Sequence, residues 1–180
     1  RRTRFCSSAK PEAFWRAIDP AYIEGEIEDH LRIGQPVELG TADAVAIAGV
    51  FAHTVDAKSS YTLEHSTRVA RIARHLAQVS GLCGEELDKI EIAGLLHDIG
   101  KLRVPEDIID KPGPLTRQER AHVMRHSYDT GQILKKIFPD PSIADWAAMH
   151  HENLLGTGYP FHAHAKEIPP EARMIAVADI

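Results

Sequence analysis

The stretch "LLHDIGKLRVP", residues 95–105, decides how this chain must fold. His97 and Asp98 stand side by side directly after two leucines, and Lys101 follows three positions beyond Asp98. Polar side chains at the end of an apolar run are costly to bury unless each finds a partner. The stretch therefore predicts that His97 and Asp98 meet polar or charged partners from other parts of the chain.

Size and composition favour a single soluble, globular domain. The chain has 180 residues, 43% of them hydrophobic and 26% charged, which is enough for one real core. With 21 Lys and Arg against 26 Asp and Glu, the net charge of -5 predicts no binding of duplex nucleic acid or anionic membrane. Cys6 and Cys83 form neither a disulfide framework nor a thiolate zinc site, which fits a cytoplasmic protein. No stretch has the roughly 20 apolar residues of a membrane span.

Apolar residues recur at helical spacing through most of the chain, and no long stretch alternates with period two, so we predict an all-α fold. The first helix of the main domain should have Thr41 as its cap and run through Val45, Ile47, Val50, Phe51 and Val55. The other predicted helices span 11–33 (one or two short helices), 61–79 with Gly81 as stop, 85 to about 100, 116 to about 138 with the capping box "TRQE" at its start, 143–151 capped by Ser142, and 171–180 after Pro170.

The segment "GQPVELG", residues 34–40, breaks this pattern. We therefore predict an N-terminal helical linker or subdomain over 1–40 and a main domain over 41–180. The chain has no initiator Met and stops after "AVADI". We read it as a piece of a longer protein whose main domain is incomplete at the C-terminus.

Seven imidazole and carboxylate side chains interrupt the predicted helical faces. A single helical histidine is more often solvated than a ligand, but here five helices each deliver such a group. Nitrogen and oxygen ligands without sulfur suit Fe, Mn, Ni or Zn in a bundle core. Seven ligands are too many for one ion, so we predict two ions about 3.5–4 Å apart, with Asp98 as the bridge. The seven are His65, His97, Asp98, His126, His150, His151 and Asp179.

These residues resemble the H…HD…D signature of the HD superfamily of metal-dependent phosphohydrolases. More narrowly, "YTLEHSTRVARIA", "LLHDIGKLRVPEDIIDKPGPLT", "RHSYDTGQIL" and "HHENLLGTGYP" together are similar to the HD-GYP family of bacterial cyclic di-GMP phosphodiesterases, over residues 45–180. The resemblance implies an HD-domain helical bundle with a dinuclear metal site in its core.

The resemblance also implies roles for single residues. One metal would be held by His65, His97, Asp98 and Asp179, and the other by Asp98, His126, His150 and His151. Lys101 would act in catalysis with Asp98 and bind a substrate phosphate, and Gly158 and Tyr159 of the "GTGYP" loop would contact substrate. A plain turn with a packed tyrosine remains the other interpretation of that loop. We assign the remaining histidines to surfaces or local hydrogen bonds.

The chain departs from the family pattern at three places. Some relatives bind a third metal through a glutamate where this chain has Tyr61, which favours two ions. Leu155 stands where relatives usually have aspartate before the glycine of the loop. The basic segment that usually follows the last aspartate would lie beyond Ile180.

The function that the resemblance implies is hydrolysis of cyclic di-GMP to pGpG by in-line attack of a hydroxide that bridges the two metals, with further cleavage to GMP left open. Fe or Mn are the expected metals, with Ni or Zn still open. Expected partners are an upstream sensory or receiver domain, with diguanylate cyclase domains and a homodimer left open. The alternatives are an HD phosphohydrolase for another nucleotide, or a non-catalytic module that senses cyclic di-GMP.

Overall fold

A computed structural model describes residues 40–58 and 64–180, which form helices joined by loops. They are α1 (Thr41–Lys58), α2 (His65–Val79), α3 (Glu85–Leu96), a 3-10 helix (Ile99–Arg103), α4 (Glu106–Ile109), α5 (Arg117–Ile137), α6 (Pro141–Ala148) and α7 (Pro170–Ala178). No β-strand occurs in these two ranges, where Leu155 and His164 make one isolated bridge. The predicted all-α fold is thus confirmed.

Two predictions lie outside the described residues. These are the helices within 11–33 and the start of the second helix at Tyr61. The domain boundary near residue 40 also stays a prediction. None of the described helices is both long and apolar enough to cross a membrane.

Helix α3 is the centre of the bundle, because α1, α2, α6 and α7 all pack against it. Every residue from Ile92 to Gly100 is buried, including the polar pair at positions 97 and 98. Gly94 permits the closest approach: a Cβ placed there would lie 2.7 Å from the Cα of Ala70 in α2. Glycine therefore allows the α2 and α3 backbones to touch, which brings the start of α2 near the end of α3.

Helix α3 was predicted to continue to about Gly100, but it ends at Leu96. In a continuing α-helix the Gly100 N–H would donate to the Leu96 carbonyl. It donates instead to Thr130 Oγ1 of α5, at 3.0 Å. The chain tightens into the 3-10 helix, where the Lys101 N–H donates to the Asp98 carbonyl at 2.8 Å. His97 and Asp98 consequently occupy the junction between two helices.

The predicted C-terminal end of α2 and the predicted start of α5 are confirmed. Both ends of α6 were wrong, because it begins at Pro141 and ends at Ala148 instead of His151. Gly81 follows α2 with φ of 96°, and the capping box of α5 forms between Thr116 and Glu119. Helix α6, however, is capped by Asp140, which accepts from the Ser142 N–H at 2.9 Å. Pro141 takes the first helical position, where its missing N–H costs nothing.

The buried face of α1 is built mainly from small side chains. Val55 is buried, but the others that pack inward are Ala48 and Ala52. Small side chains let α1 lie close to α3, and this rotates the larger apolar residues outward. Ile47 is 44% exposed, and Val50 and Phe51 are 67% and 47% exposed.

Candidate metal centre

His65 is the first residue of α2, and a buried carboxylate fixes the start of that helix. Asp56 of α1 accepts hydrogen bonds from the Ser66 N–H at 3.1 Å and from Ser66 Oγ at 2.6 Å. A negative charge at a helix N-terminus satisfies free N–H groups and interacts favourably with the helix dipole. The His65 side chain reaches α7's end, where its Nε2 lies 2.9 Å from Asp179 Oδ1.

Three buried imidazoles share one orienting hydrogen bond. The Nδ1 atom lies 2.8 Å from the Gly94 carbonyl in His97, 2.6 Å from the Val123 carbonyl in His126 and 2.6 Å from the Ala147 carbonyl in His150. A carbonyl only accepts, so each Nδ1 carries a hydrogen and donates. In a neutral ring this leaves the Nε2 lone pair free for a metal, which is the usual arrangement at metal-ligating histidines.

The Nε2 atoms of these three rings converge on Asp98. Asp98 Oδ1 lies 3.3 Å from His126 Nε2 and 4.0 Å from His150 Nε2, and Asp98 Oδ2 lies 3.3 Å from His97 Nε2. The two oxygens therefore face different histidines, an arrangement in which Asp98 would be able to serve two ions. The Nε2 atoms of His126 and His150 lie 3.3 Å apart, an approach of two lone pairs that a cation between them would relieve.

All seven sequence-predicted ligands come together in one cluster. Candidate ligand atoms lie within 4.8 Å of one another in three overlapping groups. The first two groups belong to the two different metal sites predicted from the sequence, while the third combines residues of both predicted sites. The groups are His65, His97 and Asp98; His126, His150 and His151; and His97, His150 and Asp179.

Two buried atoms in this cluster lack hydrogen-bond partners among the described residues, namely His97 Nε2 and Asp98 Oδ1. Asp98 and Asp179 oxygens lie 3.3 and 3.4 Å from His97 Nε2, but neither makes a hydrogen bond to it. Unsatisfied buried polar atoms are rare and call for an explanation such as a bound ion. The residues present thus fit a pair of divalent metals held by nitrogen and oxygen.

The charges in the cluster also favour bound cations. Burial works to lower the pKa of His97, but the carboxylates of Asp98 and Asp179 outweigh it and raise that pKa to about 10. Burial and neighbouring imidazoles lower the pKa of His151 to about 4, and the pKa of His150 is lowered in the same way. Against the opposing effect of burial, His97 and His126 lower the pKa of Asp98. The carboxylates of Asp98 and Asp179 therefore stay charged. Without metal, a proton on His97 supplies the positive charge beside them.

Lys101 faces the same cluster, as the sequence predicted. Its Nζ lies 2.5 Å from Asp98 Oδ2. In a 3-10 helix residues three apart lie one above the other, so the tightened turn itself aligns the two side chains. The side chain is half-buried, so its charge lies at the edge of the candidate metal centre, where it is paired with Asp98.

The "GTGYP" loop lies against the histidine pair. The Tyr159 ring centroid is 4.7 Å from that of His151 and 6.3 Å from that of His126. Burial raises the pKa of Tyr159 to about 12, so the phenol is neutral and able to donate. Gly158 is buried, and a Cβ there would lie 2.5 Å from the His151 carbonyl oxygen. Its position favours packing of the loop over direct contact with substrate.

Sequence reasoning missed three supporting residues. Thr130 Oγ1 donates to the His97 carbonyl at 2.9 Å while it accepts from Gly100. Glu152 is buried and accepts from the Phe161 and Ala163 N–H groups at 2.6 and 3.0 Å, which holds the loop. Asp56 fixes α2. One sequence feature could have identified Glu152, because it directly follows the histidine pair. No sequence feature pointed to Thr130 or Asp56.

Comparison with known proteins places this geometry in a family. The HD domain family model matches residues 49–180. A 3'3'-cGAMP-specific phosphodiesterase of Vibrio cholerae is 41% identical over 79% of this chain and 33% of its own length. A cyclic di-GMP phosphodiesterase of Pseudomonas aeruginosa is 39% identical over 67% of this chain and 29% of its own length. The chain thus spans about a third of the length of these relatives.

Two solved structures share the fold. One is a cyclic GMP-AMP specific phosphodiesterase of V. cholerae, with a TM-score of 0.59 and 15% identity over 76% of this chain and 39% of the other. The second is an HD-GYP-type protein of Bdellovibrio bacteriovorus, with a TM-score of 0.57 and 20% identity over 77% and 49%. With its His-Asp pair at the centre of the bundle and a match that covers most of its length, the chain belongs to the HD domain family.

Proposed function

We propose that this chain is the catalytic domain of a metal-dependent phosphodiesterase that hydrolyses a cyclic dinucleotide. The observation that carries the proposal is the cluster of seven imidazole and carboxylate groups with its two unsatisfied buried atoms. An HD domain implies binding of divalent metal, and the relatives' names give the reaction class.

In this proposal the ligands divide as the resemblance implies. His65, His97, Asp98 and Asp179 hold one metal, and Asp98, His126, His150 and His151 hold the other. Paired metals, when bound, supply an activated water and Lewis acidity toward a phosphoryl oxygen. Fe or Mn remain our preferred metals, and Ni or Zn suit the same ligands.

The direction of substrate entry follows from burial. His97, Asp98, His126 and His150 are at most 5% exposed at their side chains, whereas His65, Asp179 and His151 are 13%, 16% and 30% exposed. A phosphodiester therefore reaches the cluster from the side of His65, Asp179 and His151. Lys101 stabilises charge that develops on the phosphoryl oxygens, and the neutral Tyr159 phenol donates to substrate from the loop.

Two substrates fit this proposal. Cyclic di-GMP is the substrate that the sequence motifs favour, and the relatives named as specific for 3'3'-cGAMP, at 41% and 43% identity, favour the second. The two nucleotides differ in one base, while the metal cluster acts on the phosphodiester that they share. A phosphohydrolase for another nucleotide and a non-catalytic binding module are the alternatives that the test must separate.

The test is hydrolysis by purified protein loaded anaerobically with Fe(II) or Mn(II) and supplied with cyclic di-GMP, 3'3'-cGAMP or a nucleoside polyphosphate. We expect linear dinucleotide from one or both cyclic substrates and about two equivalents of metal. Asp98→Asn should lower both metal content and turnover, while exposed His53→Asn should change neither. Two bound metals with all substrates intact would overturn catalysis in favour of a binding module, and cleavage of the polyphosphate alone would overturn the substrate class.

A further inference from the structure

A groove of about 450 Å³ runs along the outer face of α2, beside the metal centre. It is lined by Glu64, Thr67, Arg68, Arg71, Ile72 and His75. Neither Arg68 nor Arg71 has a carboxylate within 4 Å among the described residues. Glu64 is the one acidic side chain in the lining, so two guanidinium groups outweigh a single carboxylate. The groove therefore offers an uncommitted positive charge.

Three other arginines of the described residues are already paired. Arg74, on the same helix, contacts Asp88 and Glu91 at 2.7 and 2.8 Å. A second basic pocket contains Arg103 and Arg125, but both contact the buried Asp129, at 2.9 and 3.4 Å. That carboxylate offsets the pocket's positive charge and weakens it as an anion site. Of the two basic pockets, only the α2 groove has arginines free to bind an anion.

Arg68 connects the groove to the cluster. Its Nη2 lies 3.5 Å from Nδ1 of His65, the ligand at the exposed edge of the centre. A guanidinium only donates, so this contact needs a lone pair on Nδ1. When His65 Nε2 gives its lone pair to a metal, Nδ1 carries the hydrogen and faces Arg68 as a second donor. An acceptor placed between Arg68 and His65 resolves this conflict.

We propose that Arg68, with Arg71 beside it, binds the phosphate of the cyclic dinucleotide that is not being cleaved. This inference rests on the proposed function. A cyclic dinucleotide contains two phosphodiesters in one small ring. When one of them lies at the metals, the other remains outside the metal cluster. Its oxygens accept from the guanidinium of Arg68 and from the Nδ1–H of His65. Arginine suits this role because its planar fork matches phosphate oxygens in pairs.

The experiment compares a substrate with two phosphates against one with a single phosphodiester. Arg68→Gln, Arg68→Lys and Arg71→Gln are assayed with the cyclic dinucleotides and with bis(p-nitrophenyl) phosphate, and metal content is measured for each. Equilibrium binding is measured with a slowly hydrolysed phosphorothioate analogue of cyclic di-GMP. Lys136→Gln, an exposed cation in the last turn of α5, is the matched control.

We expect Arg68→Gln to weaken binding of the analogue and raise KM for the cyclic substrate by about 10- to 100-fold, the usual loss for a hydrogen bond to a charged group. Hydrolysis of the single phosphodiester and metal content should stay unchanged. Arg68→Lys should restore part of the binding, Arg71→Gln should have a smaller effect, and Lys136→Gln none.

Equal losses on both substrates, or loss of metal, would overturn the proposal, because Arg68 would then act through His65. Unchanged binding in Arg68→Gln would overturn it as well. Binding of the analogue that depends on Arg68, in a protein that cleaves no cyclic dinucleotide, would support this inference and reject the proposed catalysis.

Discussion

At the scale of single residues, the hydroxyl of Thr130 bonds both sides of the His97–Asp98 junction. It accepts from the Gly100 N–H and donates to the His97 carbonyl. Thr130 is fully buried, so water cannot replace either bond. The hydroxyl therefore holds the turn in which His97 and Asp98 present their side chains to the cluster.

We predict that Thr130→Val lowers the free energy of unfolding by about 1–3 kcal/mol, since a buried N–H and a buried carbonyl both lose their partner. Metal affinity should fall by about tenfold or more, as is typical when a group that positions a ligand is removed. Urea denaturation of metal-free protein and metal titration measure the two effects. Thr130→Ser keeps the hydroxyl and should stay near wild type; equal losses in both variants would show that packing, not the hydroxyl, matters.

Sequence reasoning reached the clustered imidazoles and carboxylates but not the residues that orient them, for a physical reason. A histidine or aspartate on an apolar helix face can be recognised from the sequence, because its burial requires a partner. Thr130 and Asp56 are ordinary in their helices, and their roles arise from backbone groups 10 to 33 residues away. Such pairings exist only once the helices have packed.

At the scale of elements, the spacing between the 3-10 helix and α5 sets the position of Asp98 relative to His126. Gly100 makes this spacing possible, because a Cβ there would lie 2.0 Å from the His126 carbonyl oxygen. The contact is backbone against backbone, so no flexible side chain can move aside. The two elements can lie this close only if position 100 has no side chain.

We predict that Gly100→Ala pushes the 3-10 helix away from α5, with a cost of about 1–3 kcal/mol or more in stability and a marked loss of metal affinity. Gly49→Ala is the matched control, because Gly49 lies inside α1 with nothing within 4 Å of its notional Cβ. Alanine there should be neutral or stabilise by up to about 1 kcal/mol. Thermal melting and metal titration of both variants decide, and a Gly100→Ala protein with wild-type metal affinity would refute the spacing argument.

The existence of the long helices could be predicted from periodicity, whereas several of their ends could not. Helix α3 ends early because Gly100 donates to α5, which no local pattern shows. Helix α6 is capped two residues earlier than predicted, by Asp140 instead of Ser142, since Asp140 and Pro141 together make the stronger start. In α1 the alanines face inward, because close helix packing outweighs the burial of larger side chains.

At the scale of the whole molecule, the buried cluster makes stability depend on pH. Without metal, the carboxylates of Asp98 and Asp179 prevail over burial and raise the pKa of His97 from 6.5 to about 10. Between these values the folded protein holds a proton that the unfolded chain has released. Stability from this group is therefore complete below pH 6.5 and is lost as the pH rises through 10.

We predict that metal-free protein loses up to about 1 kcal/mol of unfolding free energy for each pH unit between 7 and 9, the order set by one proton. The other resolved shifts near the cluster contribute outside this window: those of His150 and His151 act below pH 6.5, those of Asp98 and Asp179 below about pH 4, and that of Tyr159 above pH 10. Urea denaturation at pH 7, 8 and 9 in the presence of chelator measures the slope. His97→Gln should flatten it, whereas exposed His53→Gln should leave it unchanged. A slope in His97→Gln as steep as in wild type would mean that the proton sits elsewhere, and that the carboxylates of Asp98 and Asp179 do not hold a cation on His97.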